Sequence, residues 1–250
     1  MTIKTTPARL KQVLEERYPG DFPKNWQPIG TLARNIFPHN VEITYGAAIL
    51  ETPSEPLSLE TIEDKIRQRY YSPDDLLQAF ADMVIFDILI GNMDRHHENW
   101  GVCEDKKYKQ LLLFDKKRLT SLRYFTPLFD HGSSLMFELS DQNVADYLAD
   151  ESRVSAYVEQ NKFGFILNSN GDKDNVFTII SQHMDANSAW KPRFKKSLAK
   201  VRAIDLLALS GLIIQMPSLP MLQYNVARRR LLHKSLLMRY NKLSELNAKG

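Results

Sequence analysis

The sequence has little of what marks secreted or membrane-bound chains. One cysteine, Cys103, stands in 250 residues, which excludes an intrachain disulfide framework and fits a reducing compartment. The opening stretch Met1 to Pro7 has no apolar core, so no secretory signal is expected. No run reaches the ~20 apolar residues of a membrane span. Leu206 to Met216 comes nearest, and it is short and carries Ser210 and Gln215. A cytoplasmic location is therefore expected. Charge of one sign is lacking too: the net +3 argues neither for nor against a nucleic-acid partner. Ahead of residue 94 the glycines are Gly20, Gly30, Gly46 and Gly91, which excludes a clustered glycine-rich phosphate loop there. A Gly-x-Ser-x-Gly elbow is absent, and Cys103 carries no hint of an activated nucleophile.

What is present is the composition of a soluble globular protein, 43% apolar and 25% charged, long enough for one large domain or two small ones. The pattern predicts a short helix over 7–17 and strands over 29–37 and 41–45. A proline-bearing linker follows over 51–57, then a charged helix from Ser58 to Tyr70. Ser72-Pro73-Asp74-Asp75 reads as a helix start, with a capping serine, proline at the first position and acids in the positive first turn. Leu77, Phe80, Ala81, Val84 and Ile88 then repeat at helical spacing within a broader apolar stripe, which predicts a buried helix. Asp82 and Asp87 interrupt it and must find partners. Two short strands, Trp100–Cys103 and Gln110–Phe114, are expected as a hairpin around Glu104 to Lys107. From about Asp141 onward the chain reads as helical. It ends in a long helix from about Leu219 to Leu246, whose basic face (Arg228, Arg229, Arg230, Lys234, Arg239, Lys242) is expected to be solvated.

The chemistry concentrates where the buried helix stops. Gly91-Asn92-Met93-Asp94-Arg95-His96-His97-Glu98-Asn99 packs acids, imidazoles and amides into one loop, and Thr126-Pro127-Leu128-Phe129-Asp130-His131-Gly132-Ser133-Ser134-Leu135 follows after the hairpin. Phosphoryl transfer needs a carboxylate to accept the acceptor hydroxyl's proton. It also needs an amide oxygen and a second carboxylate to hold Mg²⁺ against nucleotide phosphates. Asp94 and Asn99 carry the Asp-x-x-x-x-Asn interval of protein kinases, and Asp130-His131-Gly132 takes the place of the metal-binding Asp-Phe-Gly. Gly132 is expected to let the backbone bend close to the metal. Asp115 competes with Asp130 for that role, but its lysine neighbours suit a solvated or ion-paired carboxylate. The pair His96-His97 invites a zinc reading, yet no second group has ligand spacing. An imidazole that orients Asp94 is the expected role, and Ser133 and Ser134 are candidate phosphate contacts or helix caps.

Phe86 to Asn99, together with Thr126 to Leu135, resembles the core of the HipA-like kinases, bacterial serine/threonine kinases known as toxins of toxin–antitoxin modules. The Asp-Arg-His-x-x-Asn run is also similar to that of phosphatidylinositol kinases, which share the wider fold. The close likeness covers residues 80–102 and 126–135, and Gly30 to Phe37 resembles the strand entering the hinge between lobes. The resemblance implies a mainly α fold with a small β component: a protein-kinase-like, HipA-type helical large lobe with a reduced or missing β-rich small lobe. Residues 1–57 would be the remnant of small lobe and hinge, and 58–250 the catalytic lobe. It implies ATP and Mg²⁺ as cofactors, Asp94 as catalytic base and Asn99 and Asp130 as metal ligands. His96, His97 and Asp87 would orient the loop, while Arg95, His131, Gly132 and Ser133 would contact phosphate or the loop. The departure from the pattern is the small lobe: Lys4, Lys11, Lys24 and Lys65 are the lysines before Asp94, and none lies in an apolar strand. A partner chain completing that lobe, or an antitoxin, is thus expected beside a protein substrate, and direct nucleic-acid binding is not. A pseudokinase-like binding module and a lipid or small-molecule kinase are the alternative readings.

Overall fold

The computed structural model describes residues 41–52, 55–105, 123–126, 128, 130–136, 138–162, 164–185, 188–215 and 225–248. In chain order these form β1 (Val41–Tyr45), α1 (Gly46–Leu50), β2 (Leu57–Ser58), α2 (Leu59–Arg69), α3 (Asp74–Ile90), β3 (Gly101–Asp105) and β4 (Arg123–Phe125). There follow α4 (Asp141–Ala149), α5 (Glu151–Glu159), β5 (Ile166–Leu167), α6 (Val176–Asp185), α7 (Lys191–Arg202), α8 (Leu206–Gln215) and α9 (Val226–Ala248). The stretches expected at 7–17, 29–37 and 110–114, and Asp115, lie outside the described residues.

Helix α3 is the axis of the fold. Its apolar residues are spread around the circumference, and ten of its residues, from Leu76 to Leu89, are buried, so it is enclosed on most sides as the stripe predicted. It packs against α7 and α9. At mid-helix the Phe80 ring meets Trp100 edge-on at 5.1 Å, Phe165 at 6.2 Å and Trp190 at 5.9 Å. Trp100 in turn stacks on Phe125 at 5.6 Å. Each such ring contributes on the order of 1.5–3 kcal/mol by leaving water, so this cluster binds strand, helix and loop segments into one core.

The start of α3 differs from the sequence reading. The helix begins at Asp74 with Pro73 as its capping residue and no side-chain cap bond. Ser72 has φ +52°, a left-handed turn that aims the chain rather than capping it. A serine cap stands one helix earlier: Ser58 Oγ accepts from the Thr61 amide at the start of α2.

A three-stranded sheet of order β1-β3-β4 lies beside α3, which β4 contacts. It is antiparallel throughout, with Ile43 opposite Cys103 and Cys103 opposite Tyr124. Glu104 and Asp105, expected in a turn, belong to β3 instead, because Val41 and Glu42 offer them ladder partners. Gly46 is required where β1 passes into α1: a Cβ there would stand 2.3 Å from the Trp100 ring.

Much of the basic face of the last helix is not left to solvent, although Arg230 is exposed. Arg228 bonds Asp141 Oδ1 at 2.9 Å and also donates to the Leu139 carbonyl. Lys234 pairs with Glu151 and Lys242 with Glu159. Arg239 is 1% exposed and reaches the C-terminal end of α3, where it donates to the Ile88 carbonyl at 3.1 Å. A cation there is favoured by the helix dipole. Asn161, its side-chain oxygen turned to the guanidinium, accepts from it as well. Burial nevertheless lowers the Arg239 pKa to about 10. The side chain lies against Gly91, where a Cβ would come within 3.0 Å of it. The terminal helix therefore braces the point where α3 hands over to the polar loop.

His183 on α6 is buried, with Nδ1 3.1 Å from Ser188 Oγ and no partner for Nε2 among the described residues. Burial holds its pKa below the ordinary 6.5, against the pull of Glu60. The unfolded chain protonates this ring at the ordinary value, so stability is full above pH 6.5 and declines as pH falls from there toward the folded pKa. Melting temperatures measured at about pH 7.5 and about pH 5.5 should show this loss, and His183→Gln should shrink the difference.

Candidate active site

Helix α3 ends as its sequence dictates. Gly91 takes the left-handed C-cap (φ +70°), and its amide and that of Asn92 fold back onto the last turn, Asn92 reaching the Asp87 carbonyl at 2.8 Å. Only glycine adopts that backbone at little cost. The loop beyond it is built around one buried ion pair. Asp87, on the last turn of α3, is fully buried and receives a two-pronged contact from Arg95, Nε to Oδ2 and Nη2 to Oδ1, both 2.8 Å. Asn92 Nδ2 adds a third donor at 3.1 Å. Burial pushes the Asp87 carboxyl above its ordinary value, and Arg95 and Asn92 pull against that. Paired on both oxygens, it is held as the anion.

Arg95 also ties the two loops together. Its Nη1 donates to the Asn99 carbonyl at 2.9 Å, and its Nη2 lies 3.3 Å from His131 Nδ1. Further links join the same segments. Asn92 Nδ2 donates to the Asp130 carbonyl at 3.4 Å, the Leu135 amide to the Ile90 carbonyl at 2.8 Å, and Ser133 Oγ to Asp94 Oδ2 at 3.3 Å. Phe86 packs edge-on against the His131 ring at 5.6 Å. On the other side Thr126 Oγ1 accepts from the Gly101 amide at 3.0 Å, which fixes the second loop to the root of β3.

The structure thus brings the Asp94 and Asp130 loops to one surface. Asp94 and Asp130 are exposed, and Asn99 is buried to 6%. Among the described residues the Asp130 carboxylate and the Asn99 side-chain amide hold no hydrogen bond, while the Asn99 backbone N–H donates to the His96 carbonyl at 3.0 Å. Two carboxylates and an amide oxygen are hard donors that suit Mg²⁺; no cluster of three His, Cys, Asp or Glu side chains occurs among the described residues.

Several expected roles change. Arg95 is 1% exposed and spent on Asp87, Asn99 and His131, so it contacts the loops and cannot reach a phosphate. Neither histidine orients Asp94 directly: His96 Nδ1 accepts from the Glu98 amide at 3.3 Å, and buried His97 uses Nε2 on the Glu55 carbonyl at 2.9 Å. Burial lowers the pKa of both His97 and His131, so these rings are neutral supports. The bend expected at Gly132 is made elsewhere. Asp130, Leu135 and Met136 carry φ of +58°, +60° and +56°, while a Cβ on Gly132 would meet only Asp130 Oδ1, at 3.8 Å. Left-handed backbone costs non-glycine residues about 1–2 kcal/mol each. The Ile90–Leu135 bond and the burial of Met136 against Val144, Val154 and Leu231 offset that strain.

No known family's sequence model matches the chain. Over 115 residues it is 26% identical to the serine/threonine-protein kinase CtkA of Helicobacter pylori, a stretch that covers 46% of this chain and 32% of that protein. The matched part is thus about a third of the relative's length. The crystal structure of a Helicobacter pylori proinflammatory kinase CtkA superposes with a TM-score of 0.66 at 21% identity, covering 84% of this chain and 72% of the other. The fold is a helical kinase-like lobe. Its α3 leads into the Asp94 loop, and β3 and β4 lie between that loop and the Asp130 loop in chain order. Among the described residues no helix is long and apolar enough to cross a membrane.

Proposed function

We propose that this chain is an ATP- and Mg²⁺-dependent kinase of the HipA-like type that transfers phosphate to a protein serine or threonine hydroxyl. The observation that carries this reading is the convergence of two loops, 31 residues apart from Asn99 to Asp130, which brings the exposed Asp94 and Asp130 to one surface, with the largely buried Asn99 on the loop of Asp94. Asp94 takes the proton from the acceptor hydroxyl. The Asn99 side-chain oxygen and the Asp130 carboxylate would hold Mg²⁺, which would supply neutralisation of the charge that develops on transfer. Arg95 keeps the two loops in register. The likeness to a serine/threonine kinase of Helicobacter pylori supports the acceptor class, and the resemblance of the loops supports the HipA-like placement and a toxin–antitoxin role. Residues 58–250 serve as the catalytic lobe and 1–57 as small-lobe remnant and hinge, with a partner chain supplying the remaining phosphate contacts.

Calorimetry tests the site directly. ATP should bind with an affinity that rises with Mg²⁺, and Asp130→Ala should erase that Mg²⁺ dependence while leaving the melting temperature within a few degrees, since Asp130 is exposed and its carboxylate is free. Equal ATP affinity with and without Mg²⁺ in the unaltered chain would remove the metal from the proposal.

A further inference from the structure

Resting on that reading, we infer that the cleft between α3 and α7 docks the acceptor protein, through an acidic segment with apolar side chains at its centre. The cleft encloses about 520 Å³, within the range of roughly 300–1,000 Å³ typical of sites that hold a bound group. Met83, Phe86 and Leu89 of α3, Val201 of α7, Ile204 just past it and Leu128 of the second loop form its apolar walls. Phe86 is left 39% exposed there, so the apolar wall has an uncovered edge that a partner would take from water. Position ties the cleft to the reaction. The Phe86 ring also packs on His131, and Leu128 precedes Asp130 by two positions. A segment held in the cleft therefore touches the stem of the Asp130 loop, and its continuation can bring a hydroxyl to the surface where Asp94 and Asp130 meet.

Charge selects the segment. The one carboxylate lining the cleft, Asp82, is already satisfied. Its Oδ2 accepts from Lys200 at 2.6 Å, and its Oδ1 accepts from Ser197 at 2.7 Å and from Gln78 at 3.2 Å. The wall helix α7 carries cations along its length and no acid from Lys191 to Arg202. Arg193 is spent on Asp74 and Lys200 on Asp82, whereas Lys195, Lys196 and Arg202 form no ion pair among the described residues. Lys196 is exposed and lies one turn before Lys200, on the margin of the cleft. The walls are thus apolar and the α7 rim is cationic. An acidic segment gains from both, a basic one is repelled, and a second copy of this chain, at net +3, brings surplus charge of the wrong sign. Contacts this far from the transferred phosphate are equal before and during transfer, so they lower the acceptor's KM and leave kcat unchanged.

Fluorescence polarisation on the full chain tests the cleft without turnover. The fluorescein-labelled peptide Glu-Glu-Leu-Leu-Glu-Glu should bind, and more weakly as salt is raised. Lys-Lys-Leu-Leu-Lys-Lys and Glu-Glu-Ser-Ser-Glu-Glu should each bind about tenfold more weakly or worse. Lys196→Glu reverses an exposed, unpaired rim charge and should weaken the first peptide by about tenfold at an unchanged melting temperature. Ile204→Ser cuts the apolar wall and should weaken it by a similar factor. Transfer is then measured with Mg²⁺ and ATP on a serine peptide, alone and joined to the acidic peptide by a Gly-Ser linker. The joined form should show a KM about tenfold lower at the same kcat, and Lys196→Glu should remove that advantage. Equal binding of the acidic and basic peptides, or transfer with no advantage for the joined form, overturns this inference and leaves the kinase reading standing. A dimer by light scattering that the acidic peptide splits gives the cleft to a second copy and overturns it as well. Docking with no transfer to either peptide overturns the acceptor role together with the kinase reading.

Discussion

Arg95→Leu should cost about 3–5 kcal/mol of folding stability, the penalty for stranding a buried charge. For a domain of this size that corresponds to a fall of roughly 10 °C in melting temperature. The reason is specific to Asp87. Its carboxylate is fully buried and both of its oxygens are matched to Arg95 at 2.8 Å. Removing the guanidinium leaves Asn92 as the remaining side-chain donor among the described residues. The double variant Asp87→Leu with Arg95→Leu should recover much of that loss, since replacing both members of a buried pair by apolar groups is often close to neutral. Activity should not return with stability. The Arg95 bonds to the Asn99 carbonyl and to His131 are still gone, so the two loops lose their common strut. Urea midpoints for the two single variants and the double would measure the coupling. A single Arg95→Leu within about 1 kcal/mol of the unaltered chain would mean that the pair is not a structural keystone.

That pair also marks where sequence reading stops. The apolar stripe, its end at Gly91 and the concentration of polar groups beyond it were all legible, because helix period and glycine capping are local properties. The pairing need of Asp87 was legible too, since a charge inside an apolar stripe must be answered. Its partner was not. Nothing in the spacing distinguishes an Arg95 that turns inward from one that faces a phosphate. The same holds for His97, whose partner is a backbone carbonyl at Glu55, 42 positions away. Arg239 followed the basic residues of its helix in sequence and yet is buried. Only packing of α9 onto the end of α3 selects it, and such long-range contacts leave no periodic trace. The bend of the second loop was misplaced for a related reason: glycine is the default for left-handed backbone, but tertiary bonds hold Asp130, Leu135 and Met136 there instead. Ser133 illustrates the opposite case. It was legible as a polar neighbour of the metal loop, while its bond to Asp94 emerges only when the loops meet.

Asp94→Asn should lower phosphate transfer to a protein acceptor by about 10²- to 10⁴-fold, the usual contribution of a positioned general base. At constant temperature this is about 3–5 kcal/mol of lost transition-state stabilisation. The substitution keeps shape and exposure, and the new amide retains an oxygen that can accept from Ser133, so folding should hardly change. What disappears is the capacity to take a proton. Two features separate this from a loss of binding. ATP affinity should stay within a few-fold, because the metal is assigned to Asn99 and Asp130, and the Michaelis constant for the acceptor should move less than kcat. Asp130→Ala should show the converse pattern, with nucleotide affinity falling alongside turnover. If Asp94→Asn instead transferred phosphate at the unaltered rate while Asp130→Ala did not, the base would have to be sought elsewhere. The metal-binding half of the site would remain in place.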